Sequence, residues 1–320
     1  VVGSILFMFF VFMVYFTFGT PDIDYIVSHL DTVKNNYIYN LSIFVFIGAL
    51  IFKFFSFNFY FSSVLKSSDI TNLLFINILF SDIVIGIYIL WKFLYSVFNL
   101  DVIFGIFHLN YLFYIVGSIL VIYSSCRIML RKNLLPTVYS FSLIVLGYVV
   151  ILMGINNSFS FVSVISFLIN HVLINFLFYL IVALCIFLFG KSDTPIIYSF
   201  SKYKYIVYAV VLSKMAFPIA FGFNSYWNFV LSVVESKTYY LFIPFIVEKV
   251  VMIFLFARYY FVFCKEAKGE SSYIELENKI SLNTNYMMAI FIMFFLVITI
   301  SFLEGIIGNI LFDFVLSGGK

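Results

Sequence analysis

Charge is scarce in this chain: Asp, Glu, Lys and Arg make up 10% of its 320 residues. The hydrophobic share is 64% and the mean hydropathy is +1.13. No soluble domain can hide that much apolar surface, so the bilayer must act as its solvent. The net charge of +3 is small and scattered, which gives nucleic acid nothing to bind. The three cysteines, Cys126, Cys185 and Cys264, are too few and too widely spaced for a disulfide framework or a cysteine metal site. No phosphate loop, dinucleotide fingerprint, zinc spacing or nucleophile elbow is present. Haem ligands are not arranged either. Bond-making chemistry is therefore not expected, and neither a cofactor nor a metal site is expected in this chain. The apolar runs lack the alternation that a membrane barrel needs, so strands are not expected.

What fills the chain is nine apolar stretches, each long enough to cross a bilayer. They predict helices over 1–18, 38–61, 70–98, 102–125, 134–154, 161–190, 204–232, 239–263 and 285–312, in one transmembrane domain over 1–320. A span needs about 20 apolar residues. The runs 70–98, 161–190 and 204–232 exceed that, which predicts tilt, breaks or protruding ends. Phe (46) and Tyr (24) are abundant while Gly is modest at 15, a pattern that fits the codon bias of an AT-rich, organellar genome. The chain opens inside an apolar run without Met or a cleavable signal, so an unusual start codon or a piece of a longer protein is expected. Loops on one side carry Lys66, Arg127, Arg131, Lys132, Lys191, Lys202, Lys265, Lys268 and Lys279. The other side has Lys34, Lys237 and Lys320. The excess of basic residues places the first side in the cytoplasm or the mitochondrial matrix. The one sizeable polar segment, 264–284, mixes lysines with Glu266, Glu270, Glu275 and Glu277 and reads as a solvated connection.

Several spans carry an ionisable side chain near their middle. Lys53 sits in IGALIFKFFSFNFYF and Asp82 in FINILFSDIVIGIYIL. Each costs about 2.5–3.5 kcal/mol at the bilayer centre unless it faces protein, water or a partner. They read either as a structural pair neutralising each other across two helices or as members of a protonatable relay. His171 lies in SFLINHVLINFLFYL. It can simply bond a neighbouring carbonyl, or carry protons, since imidazole ordinarily titrates near neutral pH. His108 lies nearer a helix end and is the weaker candidate.

The run VVLSKMAFPIAFGFNSYWNF holds Lys214, Pro218 and Gly222. Pro218 removes a backbone donor and clashes with the preceding turn. Gly222 permits an irregular bend four residues later. A break at that depth frees backbone groups that survive only inside protein or beside water. Broken helices carrying a charge recur at transporter ion sites, and a plain proline kink is the alternative. Glu248 and Lys249 are adjacent in FIPFIVEKVVMIFLF. Adjacent residues point about 100° apart on a helix, so the two are expected not to pair well and at least one to need a partner elsewhere, with Glu304 one candidate.

Taken in order, these segments resemble the antiporter-like, proton-pumping membrane subunits of respiratory complex I (NADH:ubiquinone oxidoreductase). GSILFMFFVFMVYFTFGTPDI looks like the family's sixth helix and its Gly-Thr-x-Asp exit. Lys53 falls where the family has its seventh-helix lysine, and Asp82 near its eighth-helix lysine. IYSSCRIMLRKNLL is similar to the basic loop before the ninth helix. NHVLINFLFYL resembles the segment in which a His is followed by small residues and Leu-Phe. LSKMAFPIAFGF matches the broken twelfth helix. FLFARYYFVF, with Arg258, looks like the end of the thirteenth, and ISLNTNYMM like the entry to the last. The resemblance covers nearly the whole chain but only the last nine of the family's fourteen core helices. The fifth helix, with the family's key glutamate, is missing. That implies a split gene, with a separate chain supplying the first five helices, or an incomplete sequence. The chain departs from the family at Asp82, at Tyr226 in place of a Lys or Glu, and at NFYFSS in place of a His-Trp-Leu-Pro run.

The resemblance implies an all-α, polytopic bundle of about nine helices with inverted-repeat, antiporter-like architecture. It leans to subunit 4, then subunit 2; the subunit 5 reading lacks that subunit's long lateral helix. It implies proton translocation along a mid-membrane axis of Lys53, Asp82, His171, Lys214, Glu248 and Lys249, with hydration of the broken helix at Pro218 and Gly222. Flavin, iron–sulfur clusters and quinone are expected in partner subunits, and a multi-pass place in the mitochondrial inner membrane among other complex I subunits and lipids. The rivals are a stand-alone cation/proton secondary transporter and a pump-derived scaffold, the latter favoured by Asp82 and Tyr226. A relay predicts that Lys53→Met lowers pumping, measured in membrane vesicles, while assembly survives. Disassembly of the complex on that change would make Lys53 structural.

Overall fold

The computed structural model describes residues 2–29, 37–49, 86, 109–130, 134–189, 204–218, 220–264, 287–300, 303 and 310. Regular structure among them is helical throughout. Four helices are long and apolar enough to cross a bilayer: Asn110–Leu130, Pro136–Ile155, Ser158–Phe187 and Tyr239–Cys264. The chain forms two compact units, Val1–Asn110 and Tyr111–Lys320.

In the first unit, α1 (Val2–Phe18), α2 (Ile23–Ser28) and α3 (Tyr37–Ala49) are described. Aromatic rings join α1 to α3: Phe10 lies 4.9 Å from Phe46, and Phe18 meets Tyr39 edge-on at 5.8 Å. The Gly-Thr-Pro-Asp exit has a clear job. Gly19 takes a left-handed φ of 74°, where glycine carries no Cβ penalty, and its N–H donates to the Tyr15 carbonyl at 2.8 Å. Asp22 then caps α2 by accepting from the Asp24 N–H at 3.2 Å. The short helix α2 was not anticipated from hydropathy, because six residues carry no readable period.

The second unit contains α4 (Leu109–Leu130), α5 (Leu134–Ile155), α6 (Ser158–Asn170), α7 (Phe176–Phe189), α8 (Lys204–Lys214), α9 (Phe223–Glu235), α10 (Phe242–Cys264) and α11 (Met287–Ile300). A π-helical turn, His171–Asn175, joins α6 to α7, and a 3-10 turn, Tyr239–Leu241, leads into α10. Pro136 and Pro244 stand in the first turns of α5 and α10, where the missing N–H has no intrahelical partner to lose.

Helix α5 is the centre of this unit. Every residue from Pro136 to Gly154 is buried, as expected for a helix apolar on all sides and surrounded by protein. It meets α4 at a glycine pair. A Cβ at Gly147 would stand 2.9 Å from the Gly117 carbonyl oxygen, and one at Gly117 would stand 2.7 Å from that of Gly147. Lipid tails give helices no hydrophobic drive to associate, so such small-residue crossings supply the packing. The Tyr114 hydroxyl adds a hydrogen bond to the Gly154 carbonyl at 3.1 Å. After α5, Asn156 turns the chain at φ 52° and Asn157 caps α6 in a reciprocal pair with Ser160. The Asn157 amide also donates to the Ser232 carbonyl at 3.0 Å, tying the turn to α9.

The run over 204–232, expected to hold a broken helix, is two helices here, α8 and α9, separated by an irregular stretch. Arg127, read as a loop residue, lies in the last turn of α4, buried, with its guanidinium 5.3 Å from the centre of the Tyr139 ring. Lys53, Asp82, His108, Glu304 and the polar segment over 265–284 lie outside the described residues. The glycine crossing predicts that Gly147→Val destabilises the protein by about 1–3 kcal/mol, the usual cost of overpacking. Thermal unfolding of the purified chain checks this, and an unchanged midpoint would show that α4 and α5 can separate freely.

Candidate functional site

The break between α8 and α9 is built by backbone geometry before the proline is reached. Helix α8 closes in a paired turn: the Ala216 N–H donates to the Ser213 carbonyl at 3.4 Å and the Phe217 N–H to Leu212 at 3.2 Å. This is a Schellman ending, with Ala216 left-handed at φ 61° where glycine is usual. Pro218 was expected to break the helix. It stands exposed, two residues past the left-handed residue and four past Lys214, the last residue of α8, whose carbonyl it has no N–H to reach. Gly222 restarts the chain at φ 94° as the N-cap of α9. It needs to be glycine for a second reason, since a Cβ there would fall within 2.1 Å of the Asn170 amide nitrogen. Helix α9 then packs on α6, with the Ser163 hydroxyl donating to the Ser225 carbonyl at 2.8 Å.

This break aims the C-terminus of α8 into the unit. Its last residue, Lys214, is buried. The Lys214 ammonium lies 5.7 Å from the centre of the Phe141 ring and has no hydrogen-bond partner among the described residues. The carbonyl of the same residue accepts a hydrogen bond from the Lys249 ammonium at 2.9 Å. A cation suits a helix C-terminus, where the unpaired carbonyls carry partial negative charge.

Glu248 and Lys249 correct the sequence reading. They do pair: Lys249 Nζ lies 2.8 Å from Glu248 Oε2. Their Cα–Cβ bonds diverge, but the four-carbon lysine arm curls back along α10 and brings its tip to the carboxylate. The part of that reading that called for a partner on another helix is also met, by the Lys214 carbonyl. Glu248 is fully buried, and its Oε2 also accepts from the Tyr148 hydroxyl of α5 at 3.3 Å. Its Oε1 has no partner among the described residues.

Aromatic rings close the remaining sides. The Lys249 ammonium sits 3.1 Å from the centre of the Tyr226 ring and 5.2 Å from that of Phe245. Tyr226 stands edge-on to Tyr148 at 5.5 Å and to Phe167 at 4.9 Å, and Tyr148 stacks on Phe167 at 5.2 Å. Tyr226 therefore does not leave a gap where an acid or lysine was expected; its π face meets the cation instead.

His171 opens the π-turn and is buried. Its Nδ1 lies 2.7 Å from the Asn175 amide nitrogen, which donates to it, and that amide is 3.4 Å from the Ser142 hydroxyl of α5. His171 lies within electrostatic reach of Lys214, and Lys214 within reach of Glu248 and Lys249. Four of the sequence candidates, the buried His171, Lys214 and Glu248 and the partly buried Lys249, are thus gathered in one cluster with Pro218 and Gly222 bracketing the break beside it. Tyr148, Asn170, Asn175 and Ser142 were missed. The only signal for them was polar groups inside apolar runs, and Tyr, Ser and Asn are too frequent in this chain to stand out. No three His, Cys, Asp or Glu side chains converge as metal ligands among the described residues. Chemically, the cluster can hold and exchange protons and can seat cations.

No family model matches this chain, and no curated protein matches it. Its structure is similar to a chain of the Mrp complex from Dietzia sp. DQ12-45-1b, with a TM-score of 0.65 over 81% of this chain and 12% identity. The match spans 48% of that chain, about half its length. The fold is an all-α, polytopic membrane bundle with a broken helix, as the sequence indicated, and it is shared with that chain.

The left-handed alanine generates a direct prediction. Ala216→Gly should stabilise the protein by about 1 kcal/mol, because a left-handed residue with a Cβ costs about 1–2 kcal/mol. A higher thermal midpoint is the expected result, and a lower one would show that the helix ends differently.

Proposed function

We propose that this chain is a membrane-arm subunit of NADH:ubiquinone oxidoreductase, most like subunit 4 and next like subunit 2, and that it takes part in proton translocation. The observation that carries this reading is the buried cluster of two amines, one carboxyl and one imidazole at the inward-facing end of a broken helix. Ionisable groups in a membrane interior are costly and by default functional. Broken helices whose ends face such groups are the usual form of a membrane ion site.

In this reading Glu248 and Lys249 hold a charge pair against the end of α8. Lys214, with no hydrogen bond among the described residues to fix its state, is the group most free to exchange a proton. His171, held by Asn175, continues the line toward α6 and α7. Water would enter at the break, where Phe217 and Pro218 are exposed. Lys53 and Asp82 would extend the same axis. The redox reaction belongs to partner subunits that carry flavin, iron–sulfur clusters and quinone, so the chain is an enzyme subunit without a redox centre of its own. The assembly sits with its lipids in the mitochondrial inner membrane.

A second reading, a cation/proton secondary transporter, is favoured by the fold shared with a chain of the Mrp complex. It uses the same cluster without a redox partner.

Lys214→Met separates these from a purely structural role. The Lys214 amine has no hydrogen bond to lose among the described residues, so its removal strands no partner there, and replacing such a buried cation with an apolar side chain leaves stability equal or higher. A relay predicts an intact complex on a native gel and a several-fold loss of NADH-driven proton pumping in vesicles. Full pumping by the assembled variant would remove Lys214 from the path. Cation-coupled proton flux that persists without NADH, and without redox subunits on the gel, would put the transporter reading first.

A further inference from the structure

We propose that the ammonium of Lys249 occupies a cation seat built by the rest of the protein, one that accepts a free primary ammonium ion when the lysine is removed. Three kinds of wall define it. The Glu248 carboxylate lies 2.8 Å from the nitrogen, and the Lys214 carbonyl accepts from it at 2.9 Å. The faces of Tyr226 and Phe245 cover it at 3.1 and 5.2 Å from their ring centres. A carboxylate, a helix C-terminal carbonyl and π faces are each attractive to a cation, and here they converge on one point.

Each wall is held by something other than Lys249. Glu248 is held by the Tyr148 hydroxyl across from α5. The Tyr226 ring is wedged edge-on between Tyr148 and Phe167. The Schellman turn engages the carbonyls of Val211, Leu212 and Ser213, leaving that of Lys214 to Lys249. The seat is therefore expected to persist when the tether is cut. Part of the Lys249 side chain, 15%, is exposed, while Glu248 is sealed.

The chemistry of the seat sets its ligand class. Two walls accept hydrogen bonds, so the ligand must be a cation bearing N–H donors, and the space vacated by the lysine arm suits a short alkyl chain. Ethylammonium fits both requirements. Tetramethylammonium has the charge but no donor. Lys214 supplies no comparable seat among the described residues, where its nitrogen has one ring at 5.7 Å and no acceptor. The inference concerns binding alone and stands whether or not the protein moves protons.

The test is Lys249→Ala in the full chain, purified in detergent with whatever subunits accompany it. Its thermal midpoint is followed against ethylammonium, ammonium, sodium and tetramethylammonium chlorides at equal ionic strength. The expected result is a lowered midpoint that rises saturably by several degrees with ethylammonium or ammonium and not with tetramethylammonium. The double variant Glu248→Gln, Lys249→Ala removes the carboxylate charge and should fold without any such response. If Lys249→Ala folds only when ethylammonium is supplied, the seat is equally established. No response to any cation, an equal response to tetramethylammonium, or a single variant that folds with none of them while the double variant folds would overturn it.

Discussion

The hydrogen bond from Lys249 to the last carbonyl of α8, made beside Glu248, is the contact on which the interior of the second unit depends. A carboxylate with no exposed surface is tolerable only when its charge is answered close by. Lys249 answers it at 2.8 Å and also satisfies a helix end that would otherwise face into protein without a donor. Stripping one partner from such a buried pair typically costs about 3–5 kcal/mol, because the other charge is left uncompensated. The surrounding aromatic packing follows from that constraint. Tyr148 brings a hydroxyl to the carboxylate, and Tyr226 brings a π face to the ammonium, while both rings fill space that water would otherwise enter.

The broken helix is the device that places this contact. A continuous helix through 204–235 would have set the Lys214 carbonyl against Pro218, which has no N–H to give it and whose ring would crowd that turn. Two left-handed residues, Ala216 and Gly222, prevent that and separate α8 from α9. The Asn170 side chain fills the space beside Gly222, so the restart of the chain is fixed by α6 as much as by glycine's own freedom. Ser163 and Asn157 then hold α9 along α6 from two further points. The result is a half-helix whose negative end faces a lysine, set within an otherwise apolar bundle.

Much of this was readable from residues, and the reason is contrast. In a chain with 10% charged residues, Lys214, Glu248 and Lys249 stand out from their apolar runs, as does His171. Pro218 and Gly222 likewise marked a break. The break begins earlier than the proline, because Ala216 carries no sequence signal for a left-handed conformation. The Glu248–Lys249 pairing was misjudged by arguing from backbone directions and neglecting the reach of the lysine arm. The glycine crossing of α4 and α5 could not be read at all. Gly117 and Gly147 are ordinary glycines until two helices are known to meet there. Tyr148 is a similar case, since nothing in VLGYVV says that its hydroxyl faces a carboxylate 100 residues on.

The cluster has one further property that its composition imposes. It holds two amines, Lys214 and Lys249, and one carboxyl, Glu248. One carboxylate cannot neutralise two ammonium groups in a low-dielectric interior, so the amines compete for it. Lys249 holds Oε2 at hydrogen-bond distance, whereas among the described residues Oε1 has no donor and Lys214 no acceptor. The two amines are not independent, because Lys249 is anchored on the backbone of Lys214 itself. Any movement at the end of α8 therefore changes both the seat of one amine and the position of the other. A purely structural ion pair has no use for the second amine, which burial penalises and no hydrogen bond offsets. Competition of two cations for one buried anion, across a helix end, is the physical asymmetry on which a coupled charge movement would have to rest.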